Sequence, residues 1–399
     1  MTEAKRMRVL MLLQNAPYPL DSRVRREATT LTSNGTEVTL ICPGSMKQPR
    51  YEILNGVRIY RFQRPPQANG LLGYLFEYGY SILVIFSISL FVLLRHGFDA
   101  VHAHCPPDAF VFIAAFYKIL GKKFIYDHHD LSPELYDAKA GGRGNRLIYQ
   151  MLVLLERLSC RLADRVIATN QSYKKVEVQR GGTPEELITI VRNGPDGRIQ
   201  RVEPDPELRA KARILLGYVG ALGEQDGLDY LLRTVNHLVH DMNVTDLLCV
   251  IIGTGSVLPY LKNLASDLQI ENYVWFTGFI SDEDMTRYLS TVDLCVDPDP
   301  SNPFNDRCTM IKILEFMALG KPIVAFDLPE HRISAQDAAY YAKPNDEADF
   351  ARQIMALMDN PKQREKMGQI GSKRISEGLS WEHQSSSLLE AYKKLFNAD

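Results

Sequence analysis

Short, continuous apolar runs recur along the chain, each followed by a polar or glycine-containing loop and then a segment with helical spacing. In the first half the runs are Arg8–Leu13, Glu37–Cys42, Val57–Phe62, Ala100–His104, Phe124–Asp127, Arg165–Ala168 and Ile188–Val191. Unbroken runs of this length predict strands buried on both faces of a parallel sheet, since a solvated face would impose alternation. The pattern restarts with Leu215–Val219, Leu248–Ile252, Val274–Phe276, Leu294–Val296, Ile323–Phe326 and Tyr340–Tyr341. Between the halves, Gly194–Leu208 is polar, holds three prolines and reads as a linker. The prediction is an α/β chain of two Rossmann-like doubly wound domains facing across a cleft, the first over 1–194, a linker over 195–208 and the second over 209–378. In such sheets ligands bind at the carboxyl ends of the strands, and the cleft is the default site.

One segment departs from this pattern. Ser81–Leu94 is apolar apart from three serines, and extending it back to Tyr74 adds aromatic residues and one charge, Glu77. The uninterrupted stretch is shorter than the roughly 20 residues a membrane span needs. Two readings stand: a buried core helix, or a helix that dips into one leaflet with Tyr74, Tyr78 and Tyr80 near the headgroups. The soluble pattern resumes directly at Ala100–His104, which argues against a full span.

Composition narrows the class. Of 399 residues 45% are apolar and 24% charged, which excludes a disordered or fibrous chain. The 46 basic and 48 acidic residues leave a net charge of −2, without the basic excess of a nucleic-acid binder. Cys42, Cys105, Cys160, Cys249, Cys295 and Cys308 show neither a CxxC pair nor zinc spacing and read as buried free thiols of a reducing compartment. Met1–Pro17 does not read as a signal peptide, because Val9–Leu13 is too short for an h-region and fits a first strand.

The segments after the strands carry the candidate chemistry. Asp21 is placed to cap a helix whose first turn holds Arg23, Arg25 and Arg26, an unfavourable position for cations beside the helix dipole. Either an anion lies near them, or they form a solvated basic face with an Arg23–Glu27 pair. The runs His102-Ala-His104 and Asp127-His-His-Asp130 offer several metal-ligand types but no local ligand spacing, so no zinc site is predicted. One imidazole at a strand end is instead expected to meet a sugar or phosphate oxygen or to move a proton. His129 is the choice, with the sharp helix start Asp130-Leu-Ser-Pro directly beyond it.

In the second half, Gly220-Ala-Leu-Gly-Glu-Gln-Asp-Gly227 leads into a helix, and Gly253-Thr-Gly255 makes a second small-residue turn at the same sheet edge. Turns of this kind let backbone amides approach an anion. In Asp297–Phe326, Asn305 or Asp306 is placed to cap a helix running to Gly320, with Cys308, Lys312, Glu315 and Leu319 on one face. Lys312 would then reach back to a phosphate at the helix start, and Glu315 would accept two hydrogen bonds from a ribose diol. The competing reading is a Lys312–Glu315 surface pair. Asp297-Pro-Asp-Pro300 has the outline of a metal-binding DxD motif, but its prolines suggest a turn.

These residues carry a family likeness. The stretches Asp21-Ser-Arg-Val-Arg-Arg-Glu-Ala28, Asp127-His-His-Asp130, Val191-Arg-Asn-Gly-Pro-Asp196, Gly220–Gly227, Lys312-Ile-Leu-Glu-Phe-Met-Ala-Leu-Gly-Lys-Pro322 and Phe326-Asp-Leu-Pro-Glu-His-Arg332 resemble the glycosyltransferase family 4 enzymes of GT-B arrangement. The chain looks closest to the bacterial branch that builds surface polysaccharides, including transferases of acetamido-sugars. The resemblance extends nearly end to end. It implies sugar transfer with retention from a nucleotide diphosphate donor, UDP by family weight, without a metal or other cofactor, to a lipid-linked or saccharide acceptor. It implies a cytoplasmic enzyme, peripheral on the inner membrane face through residues 74–95, with no nucleic-acid partner. It also implies that segment 379–399 crosses back to the first domain.

By the same resemblance Glu315 holds the ribose as the second Glu of the E-x7-E motif. His129 lies near donor sugar and acceptor, Gly220 and Gly223 approach the diphosphate, and Asn193, Gly253 and Thr309 complete the donor side. Three departures stand out. The first Glu of the motif falls on Arg307, leaving Asn305 and Asp306 as the nearest substitutes. The family's diphosphate-holding Arg and Lys fall on Ala221 and Asp226, and Lys312, then Arg332, are the expected replacements. Arg23, Arg25 and Arg26 are the expected contacts for an acceptor phosphate. Two alternatives remain: a nucleotide-sugar epimerase of the same fold, and a non-catalytic nucleotide-sugar-binding scaffold. An NAD oxidoreductase is poorly supported, since the first strand leads into Asn-Ala-Pro-Tyr-Pro where G-x-G-x-x-G would be needed.

Overall fold

The computed structural model describes residues 6–64 and 70–396, and of residues 70–75 the helical backbone only. Tyr74, one of the tyrosines expected near headgroups, lies outside the described side chains. The chain forms two compact units: Met1–Leu135 with Asn145–Arg192 and Gln384–Asp399, and Tyr136–Gly144 with Asn193–His383.

The first unit holds an eight-stranded sheet among the described residues. Its strands are β1 (Arg8–Leu12), β2 (Glu37–Gly44), β3 (Tyr51–Leu54), β4 (Val57–Gln63), β5 (Ala100–His104), β6 (Lys123–His128), β7 (Arg165–Ala168) and β8 (Ile188–Ile190). Their order is β3-β4-β2-β1-β5-β6-β7-β8, all parallel except the β3–β4 hairpin. Leu10 faces Thr39 on one neighbour and Val101 on the other, so β1 is central. The apolar runs of β1 and β5 are buried along nearly their whole length, as a sheet covered on both faces requires.

The second unit holds β9 (Ile214–Val219), β10 (Leu247–Ile252), β11 (Val274–Gly278), β12 (Leu294–Asp297), β13 (Ile323–Phe326) and β14 (Ala339–Ala342), all parallel, in the order β11-β10-β9-β12-β13-β14. Alternate residues supply two cores: Leu216, Tyr218, Cys249 and Ile251 pack on one face, Leu215, Leu248 and Val250 on the other. Each such buried aliphatic side chain contributes roughly 1.5–3 kcal/mol. The strand order reverses between β9 and β12, which is where a doubly wound sheet opens a crevice at its carboxyl edge. The six cysteines are free thiols; burial pushes Cys249 and Cys295 up to about 12.

The helix Gly70–Arg95 is one continuous element. Its span Phe76–Arg95 is long and apolar enough to cross a membrane, yet only 22% of its most apolar stretch is buried. Ser81, Ile85, Ser89 and Val92 face inward, with Ser89 Oγ 2.6 Å from Tyr117 Oη. Leu83, Phe91 and Leu94 face outward at 68%, 50% and 88% exposure. The helix is therefore not a fully buried core helix: one stripe is buried, Ile82, Val84, Phe86, Ile88, Leu90 and Leu93 are half-buried, and Leu83, Phe91 and Leu94 are open.

Candidate active site

In the first unit, one polar cluster lies at the carboxyl ends of β5 and β6. Asp21 caps the helix Ser22–Ser33, its Oδ1 accepting from the Val24 amide at 3.0 Å. That cap sets the helix so that Arg23 and Glu27, one turn apart, face the strand ends. Arg23 grips Asp127 as a fork, Nε to Oδ2 at 2.8 Å and Nη2 to Oδ1 at 2.6 Å, and donates to the Val191 carbonyl at 3.0 Å. Its Nη2 is also 3.1 Å from Glu27. The same Asp127 Oδ2 accepts from His104 Nδ1 at 2.8 Å and from His129 Nδ1 at 3.2 Å. His102 stacks on His104 with ring centroids 4.3 Å apart, and its Nδ1 meets Tyr392 Oη at 2.7 Å.

Electrostatics follow from this packing. Burial would raise the Asp127 carboxyl, but the Arg23 guanidinium and the imidazoles hold it well below the usual carboxylate range. Burial and the neighbouring Asp127 charge push Glu27 up. Burial alone would lower His129, and Asp127 more than offsets it, so this imidazole is raised. Because Asp127 takes the Nδ1 proton, Nε2 is the nitrogen His129 has left for a substrate. Arg23 requires a correction: its side chain is 4% exposed and committed to two carboxylates and a carbonyl, so it offers no open charge to an acceptor phosphate, nor is it on a solvated face. Arg26 is buried too, and Arg25 donates to the Pro19 carbonyl at 3.3 Å.

In the second unit, a separate cluster lies at the β9/β12 reversal. The predicted helix from Asn305 is corrected here. Asn305–Arg307 forms a single 3-10 turn, Cys308 and Met310 are extended, and the helix proper is Ile311–Ala318. Asn305 is drawn off as a strut: its Nδ2 donates to the carbonyls of Gln225 and Pro300, both at 2.9 Å. Cys308 therefore does not share a helix face with Lys312. Lys312, second residue of the helix, turns to Asp299 Oδ1 at 2.7 Å and Asp297 Oδ1 at 3.4 Å, with Nζ 5.0 Å from the Tyr218 ring centroid. It pairs with these aspartates rather than with Glu315. Burial disfavours the ammonium, but Asp297 and Asp299 more than compensate and raise it. Burial and Asp297 push Asp299 well up.

The glycine turns are built for close backbone approach. A Cβ on Gly253, whose φ is +136°, would lie 1.9 Å from the Gly220 carbonyl oxygen. The Gly220 amide donates to Ile252 O at 3.1 Å, and the Gly223 amide to Asp226 Oδ2 at 2.9 Å. The Gly220 and Gly223 amides are thus engaged within the protein, the second with the aspartate that stands where the family has Lys.

Two family descriptions match the chain in tandem: "Glycosyltransferase Family 4" over residues 21–196 and "Glycosyl transferases group 1" over residues 213–360. The chain is a glycosyltransferase of the family 4 type. An uncharacterized glycosyltransferase of Methanocaldococcus jannaschii is 24% identical to the transferase over 92% of each chain. Among solved structures, sucrose-phosphate synthase of Thermosynechococcus elongatus superposes with TM-score 0.80 at 16% identity, covering 99% of the transferase and 100% of that chain. Anabaena HepE in complex with UDP and glucose superposes with TM-score 0.74 at 15% identity over 98% and 100%. These likenesses establish the GT-B fold.

The remaining predicted residues of the transferase fall as follows. Glu315 is half-buried on the helix after Lys312. Asn305 Oδ1 and Asp306 Oδ1 are buried acceptors without a hydrogen-bond partner, while Asp306 Oδ2 accepts from Ser301 Oγ at 3.2 Å. Thr309 donates to Glu330 at 3.3 Å, and Asn193 is buried. Arg332 is exposed, forked onto Asp327 at 2.5 and 2.7 Å and stacked 4.1 Å from the Tyr341 ring centroid. The sequence reading passed over Tyr392 and His331. Tyr392 reaches His102 from the C-terminal helix, 290 positions away, and no local spacing signals such a partner.

Proposed function

We propose that this glycosyltransferase moves a sugar, an acetamido-hexose by resemblance, with retention from a UDP-linked donor to a lipid-linked or saccharide acceptor in surface-glycan synthesis. The observation that carries the donor reading is the second-unit cluster. Glu315 sits half-buried beside Lys312, and the unpartnered oxygens of Asn305 and Asp306 lie at the neighbouring turn. Glu315 would take the ribose diol, and those oxygens the sugar hydroxyls in place of the motif's first Glu. That HepE binds UDP and glucose on the same fold supports UDP. In the first unit, His129, oriented by Asp127, would meet the reacting sugar through Nε2.

A cytoplasmic, membrane-peripheral location is supported by the surface of the first unit. The helix Val111–Ile119 packs against both Gly70–Arg95 and Arg146–Leu162. Phe112, Phe116 and Ile119 on one helix, and Leu147, Met151, Leu154 and Leu158 on another, are all exposed at helical spacing. With Leu83, Phe91 and Leu94 they make an apolar face far larger than isolated surface residues. Exposed Arg95, Arg146, Arg157 and Arg161 lie on the same helices, a charge pattern suited to anionic lipid.

The test is calorimetric titration with UDP, GDP and ADP, followed by a product assay with UDP-acetamido-hexoses and a lipid extract. UDP should bind, and Glu315→Ala should weaken it at least tenfold, about 1.4 kcal/mol. Absence of nucleotide binding overturns the reading in favour of a scaffold. Release of a donor epimer without transfer overturns it in favour of an epimerase.

A further inference from the structure

Behind Lys312 lies a group of buried donor atoms that the sugar-transfer reading does not use. His331, 1% exposed, is held by the helix Pro329–Ala335 just beyond β13. Its Nδ1 is 2.9 Å from the Phe326 carbonyl oxygen. A carbonyl only accepts, so Nδ1 carries the proton, and in the neutral ring Nε2 presents a lone pair. That lone pair faces Asp297 Oδ2 at 3.5 Å, another acceptor. Asp299, two residues on, brings a second carboxylate, and one ligand atom from each of the three residues lies within 4.8 Å of the others. Asp297 Oδ2, Asp299 Oδ2 and His331 Nε2 are buried and without a hydrogen-bond partner. Lys312 does not serve these atoms, because its ammonium is bonded to the opposite oxygens, Oδ1 of each aspartate.

We propose that Asp297, Asp299 and His331 form a binding site for one first-row divalent transition-metal ion, Mn²⁺ or Zn²⁺, at the carboxyl end of β12. An imidazole with two carboxylates selects this class over Mg²⁺ and Ca²⁺, which prefer all-oxygen shells. The outer contacts are those a metal site needs: a backbone carbonyl fixes the imidazole tautomer through Nδ1, and Lys312 steadies both carboxylates through Oδ1. Asp297 ends β12, Asp299 follows it, and His331 stands on the helix just beyond β13, the strand paired with β12, which holds their spacing. Asp226 also faces this group, so three carboxylates and one ammonium give −2, and a divalent ion brings the group to neutrality. If the donor reading above holds, the ion offsets the acidic excess left where the family's Arg and Lys are missing at Ala221 and Asp226. The cluster of Glu27, His102, His104 and Asp127 is also compact, but there both oxygens of Asp127 already accept hydrogen bonds, from Arg23 and His104.

The experiment is Mn²⁺ titration of the full chain after EDTA treatment, following free Mn²⁺ by electron paramagnetic resonance, with pulsed measurement of nitrogen coupling to bound Mn²⁺. The expected result is one Mn²⁺ per chain, directly coupled to an imidazole nitrogen. Affinity should fall at least tenfold in His331→Gln and in Asp299→Asn and stay unchanged in His104→Gln. No stoichiometric binding, or bound Mn²⁺ without nitrogen coupling in the wild type, overturns the site and leaves His331 as a buried imidazole held by the Phe326 carbonyl. Loss of binding in His104→Gln with His331→Gln unaffected also overturns it. UDP calorimetry on the EDTA-treated chain separates the two proposals: UDP binding without Mn²⁺ binding rejects only the metal, and the converse rejects only the donor.

Discussion

Arg23 and Asp127 stand 104 residues apart in sequence and meet as a buried fork, with two hydrogen bonds of 2.8 and 2.6 Å and side chains 4% and 0% exposed. The pair joins the helix after β1 to the end of β6, and it sets the field in which His104 and His129 sit. Removing one member leaves the other as an uncompensated buried charge, at a cost of about 3–5 kcal/mol. Arg23→Ala should therefore lower the denaturation midpoint sharply, and Asp127→Asn should do so to a similar degree. An Arg23→Ala protein of wild-type stability that had lost only acceptor binding would restore the phosphate-contact role rejected above.

His128 gives a pH test on the other face of β6. It is fully buried, 3.2 Å from Glu177 and 3.6 Å from Glu156, while Arg180 grips Glu156 and Glu134. Burial would lower the imidazole, but the two carboxylates override it and raise it to about 10. The folded state thus holds a proton that the unfolded chain releases near 6.5. This stabilisation is complete below 6.5, fades as pH rises, and is gone above about 10. The stability difference between wild type and His128→Gln should accordingly shrink between pH 7 and pH 10 in urea titrations. A difference that is constant or grows over that window refutes the ion pair.

Much of the fold could be read from the apolar runs, because a strand buried on both faces has no alternation to hide it. Strand β3 was not, since Tyr51–Leu54 alternates exposed and half-buried at a sheet edge, although Asn55-Gly56 is the turn pair of a two-residue hairpin. The candidate sites were legible as residues and not as partnerships. The Arg23–Glu27 pair is local, but what buries it is Asp127 and Val191, and no helical spacing reports those. The start of the Ile311–Ala318 helix was misplaced because Asn305 is a good cap in isolation; its amide is spent instead on two carbonyls of neighbouring loops.

Lys312 yields a double-mutant test. Lys312→Met alone leaves Asp297 and Asp299 facing each other unpaired, so stability should drop by about 3–5 kcal/mol. Combining it with Asp299→Asn removes one of the two charges, and the pair should recover about half of that loss. Thermal melts of the two singles and the double measure the coupling. Strictly additive losses would mean that the 2.7 Å contact carries no stabilisation.

The exposed stripe of the helix Arg146–Leu162 provides the last prediction. Leu147, Met151, Leu154 and Leu158 recur at spacings of four, three and four, and they are 76%, 42%, 56% and 40% exposed. A soluble helix turns such a stripe inward. Here the inward face is taken by Glu156, Ser159 and Cys160, with Glu156 bound to Arg180 and Ser159 bound to the Asp108 carbonyl. The apolar stripe therefore faces away from the unit's core, which suits a lipid surface. Leu147→Glu with Leu154→Glu costs little internal packing and should leave the melting temperature within a few degrees. It should nevertheless abolish co-flotation with phosphatidylglycerol vesicles, because it removes apolar area worth about 25 cal/mol per Å² and repels anionic headgroups. Wild-type flotation should also weaken in high salt, through screening of Arg146, Arg157 and Arg161. Flotation of the double variant equal to wild type would move the docking surface elsewhere.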